Sequence, residues 1–133
     1  MMPEIRGLGD KVALITGGSV DIGGAIAAGL ADAGATVVIT YVGAESLAEQ
    51  VVESIAQAGG CAEKIQLDQR DPEAIDACIA DVAQRHGRLD ILVNNAAWNV
   101  GIPFPDLQAL TPDLWDRVME TNLRGPFLLA RAA

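Results

Sequence analysis

Aromatic residues make up only 4% of this 133-residue chain, and it has one tyrosine, one histidine and two cysteines. Few aromatics leave the core to Ala, Val, Ile and Leu; half of the residues are apolar, so a core is expected. Cys61 and Cys78 lie far apart in sequence and form no CxxC, which argues for two reduced thiols rather than a disulfide or metal site. Basic residues are outnumbered, nine to eighteen acidic, for a net charge of -9. No basic tract offsets this, so neither a nucleic-acid backbone nor an anionic membrane surface is expected as a partner. No apolar run is long enough to suggest a transmembrane helix. The start, MMPEIRGLGD, has no apolar signal core. The expected compartment is the cytoplasm.

What remains is a regular alternation. KVALIT, Lys11 to Thr16, is β-branched-rich and ends at Gly17-Gly18; it reads as strand 1. Ile22, Ile26 and Leu30 then form a helical stripe that stops at Gly34. Thr36 to Tyr41 is strand 2, and Leu47, Val51, Ile55 and Ala58 mark the next helix, ended by Gly59-Gly60. Cys61 to Leu67 is strand 3. Asp71 is placed to cap a helix with Pro72 in its first position; Ile75, Ile79 and Val82 line it and Gly87 ends it. Arg88 to Asn94 is strand 4. A long loop with Pro103 and Pro105 precedes a last helix that starts at Thr111-Pro112, with Leu114 and Val118 as its apolar pair.

Alternating strands and helices imply a Rossmann-like doubly wound parallel sheet. Right-handed crossovers predict strand order 3-2-1-4. The carboxyl ends of strands 1 and 4 then flank the crevice where ligands bind in this class. Those ends carry Thr16-Gly17-Gly18 and Asn94-Asn95. The last residues, NLRGPFLLARAA, read as a helix without a stop signal, and apolar strand 4 lacks a further neighbour. Residues 1–133 are therefore expected to be one N-terminal part of a dinucleotide-binding domain whose C-terminal catalytic half is absent. Such a piece is expected to be marginally stable or self-associating.

The stretch from Thr16 through Ser19 and Val20 to Gly23 follows a strand and opens a helix, where a phosphate-binding turn belongs. Its spacing is Thr16-Gly17-x-x-x-Asp21-Ile22-Gly23, and it resembles the TGxxxGIG loop of the short-chain dehydrogenase/reductase family, with Asp21 for the middle glycine. Further matches follow in order. Asp68, with Gln69 beside it, ends strand 3, where the family often has an Asp that meets the adenine. Asn94-Asn95-Ala96-Ala97 is similar to the family's NNAG, and Asn122-Leu123-x-Gly125 to its NxxG. The resemblance runs from about Gly9 to the end of the chain.

The resemblance implies an NAD(P)-dependent oxidoreductase acting on a small alcohol or ketone, a homo-oligomer, commonly a tetramer, when full length. It makes Asn122 catalytic and the loop residues cofactor-binding. The family completes its site with a Ser and a YxxxK motif. Here the sole tyrosine, Tyr41, ends strand 2, and the only lysine after it is Lys64, so the chain is expected to be inactive alone. Strand 2 ends without an acid to hold a ribose 2′-hydroxyl, which favours NADP over NAD; no Arg stands at Val20 to meet the extra phosphate. Tyr41 is an adenine-side wall or a partly buried aromatic.

Pro126 has no N–H for the Asn122 carbonyl, so the last helix should kink, either to free that carbonyl for a water or simply to bend around the core. His86 reads as a helix C-terminal cation. Trp98 lines a substrate cleft or packs the core; Trp115 packs, or belongs to the helix face through which family members dimerise. Asp21 either points to solvent or caps the helix from the side, which leaves binding intact and is favoured by the otherwise intact loop, or it faces the phosphates; its tolerance of left-handed backbone should preserve the turn. The competing reading is a non-catalytic dinucleotide-binding or scaffold protein. A complete flavodoxin-like domain fits less well with four strands and an unfinished helix.

Overall fold

The structure is a computed structural model, described here for residues 7–133; the leaderless reading of MMPEIR lies outside the described residues. Strands β1 (Val12–Ile15), β2 (Thr36–Tyr41), β3 (Cys61–Gln66) and β4 (Ile91–Val93) form one parallel sheet in the order β3-β2-β1-β4. Registers run Val12 against Thr36, Thr36 against Cys61 and Ala13 against Ile91. The expected order and class are therefore observed. Each parallel step needs a crossover, which helices α1 (Asp21–Asp32), α2 (Glu45–Gln57) and α3 (Pro72–His86) supply.

Two apolar clusters cover the sheet. On one face α1 and α2 pack on Ala13, Ile15, Val37 and Ile39. On the other, Ile75, Ile79 and Val82 of α3 pack on Leu14 and Val38. Alternate strand residues face opposite ways, so β1 and β2 are buried on both sides.

Helix α3 has the expected termini. The Asp71 carboxylate accepts from the N–H groups of Glu73 and Ala74, and Gly87 closes the helix with φ 73°. His86 stands in its last turn with Nε2 2.9 Å from Glu63. Helix α1 departs from the expected stripe. It buries Gly23, Ala27 and Ala31, while Ile22 is 71% exposed and Ile26 and Leu30 are only half-buried. Small residues let this helix lie close to the sheet, and the large ones flank the contact.

Strand β4 is shorter than expected, and its three residues are half-buried at the sheet edge. The region after it contains a short 3₁₀ turn, Leu107–Ala109. Helix α4 (Pro112–Met119) is capped by the Thr111 hydroxyl, with Leu114 and Val118 half-buried. It runs into a π-helical segment, Glu120–Arg124, and then α5 (Gly125–Ala132). The ladder break expected from Pro126 thus takes the form of a widened turn. The Gly125 N–H donates five residues back, to the Glu120 carbonyl.

Both cysteines are free. Cys61 is exposed, and burial pushes the Cys78 thiol up to about 11, which leaves it protonated and inert near neutral pH. Among the described residues no helix is long and apolar enough to cross a membrane. None of their His, Cys, Asp and Glu side chains form a metal-holding group.

Candidate functional site

A cavity of about 530 Å³ opens at the carboxyl ends of the strands, between β1 and β4. Its floor is stapled by buried polar groups. The fully buried Thr16 hydroxyl accepts from the N–H groups of Asn95 (3.1 Å) and Ala96 (3.0 Å) and donates to the Val93 carbonyl (3.4 Å). In return, Asn95 Nδ2 donates to the carbonyls of Thr16 (3.0 Å) and Gly17 (3.2 Å). These bonds hold the ends of β1 and β4 together, so the crevice has a rigid base.

The Gly-rich turn forms one rim. Gly17 has φ 65°, and its N–H donates to the Thr40 hydroxyl at 3.3 Å. Gly18 lies against Ile39, where an added Cβ would fall 2.5 Å from a side-chain carbon. Gly23 is tighter, since a Cβ there would overlap the Gly17 carbonyl and sit 2.6 Å from Asn95 Nδ2. Gly23→Ala is therefore expected to lift the turn and lower stability by about 1–3 kcal/mol. Urea unfolding measures this, and an unchanged midpoint would count against the packing.

Helix α1 begins with its first N–H groups uncapped by any side chain, because its N-cap is Val20. Of the placements considered for Asp21, the cap is not made. Asp21 instead takes φ 44°, the only positive φ of a non-glycine among the described residues, and is exposed on the cavity rim. The turn survives the substitution, as its tolerance of left-handed backbone predicted.

Of the residues singled out in the sequence, the cavity is lined by Gly17, Ser19, Val20, Asp21, Ile22 and Gly23 from the turn. Tyr41 joins them from β2, Asp68 and Gln69 from the end of β3, and Asn95 and Ala96 from the end of β4. Thr16 and Gly18 lie beneath, as supports. Asn94 and Asn122 do not line the cavity. Asn94 Nδ2 donates to the Pro126 carbonyl at 3.3 Å. The Asn122 side chain is committed to the backbone of Trp98, accepting from its N–H (2.8 Å) and donating to its carbonyl (2.7 Å). Buried Gln69 ties the same region, donating to the carbonyls of Ala96 (3.2 Å) and Thr121 (2.5 Å).

The cavity has further lining residues. Leu67, Thr121 and the stretch from Val42 to Ala44 complete its walls. Trp98 lines it too, with the Arg117 guanidinium 3.9 Å from the ring centroid; Trp115 is exposed instead. Arg70 and Arg117 bring positive charge that was not expected there. Arg70 grips Asp68 with its backbone N–H (3.0 Å), Nε (3.2 Å) and Nη2 (2.8 Å). That pairing holds the Asp68 carboxyl below its usual range. The only signal for it in the sequence is an Arg two residues after a strand-ending Asp.

Comparison with known proteins agrees with this geometry. The chain is 42% identical over 132 residues to versicolorin reductase 1 of Aspergillus parasiticus, covering 99% of this chain and 49% of that protein. It is 43% identical over 105 residues to the short-chain dehydrogenase/reductase homolog YusS of Bacillus subtilis, covering 79% of this chain and 96% of that protein. A short chain dehydrogenase from Burkholderia cenocepacia, solved in complex with NADP, superposes with a TM-score of 0.87 at 42% identity, covering 95% of this chain and 50% of that one. The chain thus spans about half the length of versicolorin reductase 1 and of the Burkholderia dehydrogenase. The family model for short chain dehydrogenases matches residues 11–133. A parallel 3-2-1-4 sheet with a Gly-rich turn over its switch point, and this match across nearly the whole chain, place the protein in the short-chain dehydrogenase/reductase family of oxidoreductases.

Proposed function

We propose that residues 1–133 are the cofactor-binding part of an NADP-dependent short-chain oxidoreductase, and that the cavity takes the dinucleotide. The carrying observation is the cradle at the mouth of α1. Gly18 and Gly23 leave no space for a Cβ, Gly17 takes a left-handed φ of 65°, and the first N–H groups of the helix carry no side-chain cap. This is the donor arrangement that a pyrophosphate needs. A cavity of about 530 Å³ accommodates a large part of such a ligand. Solved relatives in complex with NADP support the choice of cofactor.

In this reading the turn from Gly17 to Gly23 holds the pyrophosphate, and Tyr41, Asp68 and Gln69 bound the adenosine end. Asn95 and Ala96 back the ribose from the end of β4. The bound nicotinamide supplies or accepts a hydride for an alcohol or ketone. Asn122 acts through the fold as well as the chemistry. Its side chain fixes the loop carrying Trp98, and Pro126 offers its carbonyl no N–H. That carbonyl is the atom proposed to hold a water for proton transfer. The general acid is missing from these residues, because Tyr41 and Lys64 stand on neighbouring strands in no YxxxK spacing. The chain alone is thus proposed to bind without turning over, with the catalytic half in a longer protein.

The single test is a fluorescence titration with NADPH, run beside an assay for ketone reduction. Enhancement or quenching below millimolar cofactor, with no turnover, is the expected result. An unresponsive signal at millimolar NADPH would sink the binding claim. A second reading, a non-catalytic dinucleotide binder, draws on Asp21 in the turn and on the match to nearly all of YusS. Extension of the encoding sequence into a YxxxK motif would exclude it.

A further inference from the structure

The π segment leaves one backbone group unserved within its own helix. Gly125, four residues after Thr121, donates its N–H to the Glu120 carbonyl. Pro126, five residues after, has no N–H to give. The Thr121 carbonyl therefore has no donor at either the regular or the widened spacing. Gln69 supplies one from another part of the chain. Its side chain is 5% exposed, and its amide nitrogen donates to the Thr121 carbonyl at 2.5 Å and to the Ala96 carbonyl at 3.2 Å. One amide thus spends both of its hydrogens on two carbonyls. One of these belongs to the segment that carries Asn122, the other to the stretch after β4.

The fit around Gln69 is close. A Cβ at Gly125 would fall 2.8 Å from the Gln69 carbonyl oxygen and 3.0 Å from its Cγ, so the helix rests directly on this residue. Beside Thr121, the Asn122 side chain holds the Trp98 backbone by two bonds. Ala96 and Trp98 both line the cavity. The π segment is therefore fastened to one cavity wall at two points, through Gln69 to Ala96 and through Asn122 to Trp98. Without the Gln69 amide, the donor nearest in the chain to the Thr121 carbonyl is the Gly125 N–H, which must leave Glu120 to serve it. That exchange tightens the widened turn, and Asn122 then leaves its place against Trp98.

We propose that Gln69 is a positioning residue for Asn122: its amide holds the π segment open and fastens it to the cavity wall, which keeps Asn122 in register with the bound cofactor. This rests on the reading that the cavity takes the dinucleotide and that Asn122 serves the reaction.

The test is hydrogen exchange followed by NMR. In the wild-type chain the Gln69 side-chain hydrogens should exchange at least about tenfold more slowly than those of exposed Gln50. Gln69→Met keeps the length of the side chain and removes the donor. In it the Trp98 N–H, held by Asn122, should exchange at least about tenfold faster, and its rate should rise by more than that of Val38 in the core. A merely structural loss acts through global unfolding and would speed Trp98 no more than Val38. Pro126→Ala returns an N–H at the fifth position, so adding it to Gln69→Met should restore most of the protection at Trp98 and help the chain to fold, which circular dichroism checks. Filling of space by Gln69 would not be rescued in this way. Fast exchange of the Gln69 hydrogens in the wild type, a Trp98 rate that rises no more than that of Val38, or no rescue by Pro126→Ala would each overturn the proposal. A fluorescence titration with NADPH keeps the two readings apart. If the wild type binds NADPH and Trp98 ignores Gln69, the proposal fails and cofactor binding stands. If no NADPH binds, the cofactor reading fails and the role of Gln69 toward Asn122 falls with it.

Discussion

Asp21→Gly is expected to tighten NADPH binding, by about fivefold at the least and several hundredfold at the most. The carboxylate stands on the cavity rim at the mouth of α1 and makes no capping bond there. Two negative groups about 4 Å apart repel by roughly 1 kcal/mol in water and 4 kcal/mol near a protein surface. Its backbone already sits at φ 44°, which glycine adopts freely, so the substitution should leave the turn in place. Asp21→Asn separates charge from conformation, since it keeps the shape and removes the charge; most of the gain should appear with it as well. Raising the salt should shrink the difference between wild type and either variant. Equal affinities for all three at low salt would mean that the carboxylate never faces the phosphates. A gain with Gly and none with Asn would assign the effect to backbone strain.

The second large effect is expected from Thr16→Val, at about 1–3 kcal/mol of lost stability. Valine matches the shape of threonine but accepts nothing. The Asn95 N–H keeps a second acceptor in the Val93 carbonyl at 3.0 Å, so most of the cost falls on the Ala96 N–H. A domain with only 5–15 kcal/mol in hand loses a large share of it. Thr16→Ser retains the hydroxyl and should cost much less. Urea unfolding of the three chains ranks them, and a Val variant within about 0.5 kcal/mol of wild type would show that the staple is dispensable. Because Thr16 joins β1 to β4 beneath the cavity, the Val variant should also bind NADPH more weakly.

Local chemistry made the scaffold readable. Thr36 to Tyr41 is bounded by turns and rich in β-branched residues, and β2 has those limits. The Asp71 carboxylate, the Pro72 ring and the Gly87 backbone each act on residues next to them in sequence, so both ends of α3 were legible. Handedness rules then ordered the strands. Helix α1 misled because Ile22, Ile26 and Leu30 carry the visible stripe, while close approach to the sheet selects Gly23, Ala27 and Ala31. Size, not hydrophobicity alone, decided which face turned inward.

In the site, the turn was legible because its glycines answer to backbone geometry. The tertiary partners were not. Nothing near Asn122 in sequence indicates that its side chain is held by Trp98, 24 residues away. Arg117 and Arg70 reach the cavity from a helix and a loop whose local pattern asks only for solvated charge.

The π segment sets the angular phase of everything after it. One surplus residue in the turn advances the helix by about 100° relative to a regular spiral. With that offset, Leu128 and Leu129 close the core beside α3 while Leu123 and Phe127 stay outside. The segment therefore works as a phase shifter, and loop-tolerant and helix-intolerant positions should invert around it. The length of Glu120–Arg124 matters more than residue identity, because any single-residue deletion there would turn α5 by about 100° and move Leu128 and Leu129 off their core positions.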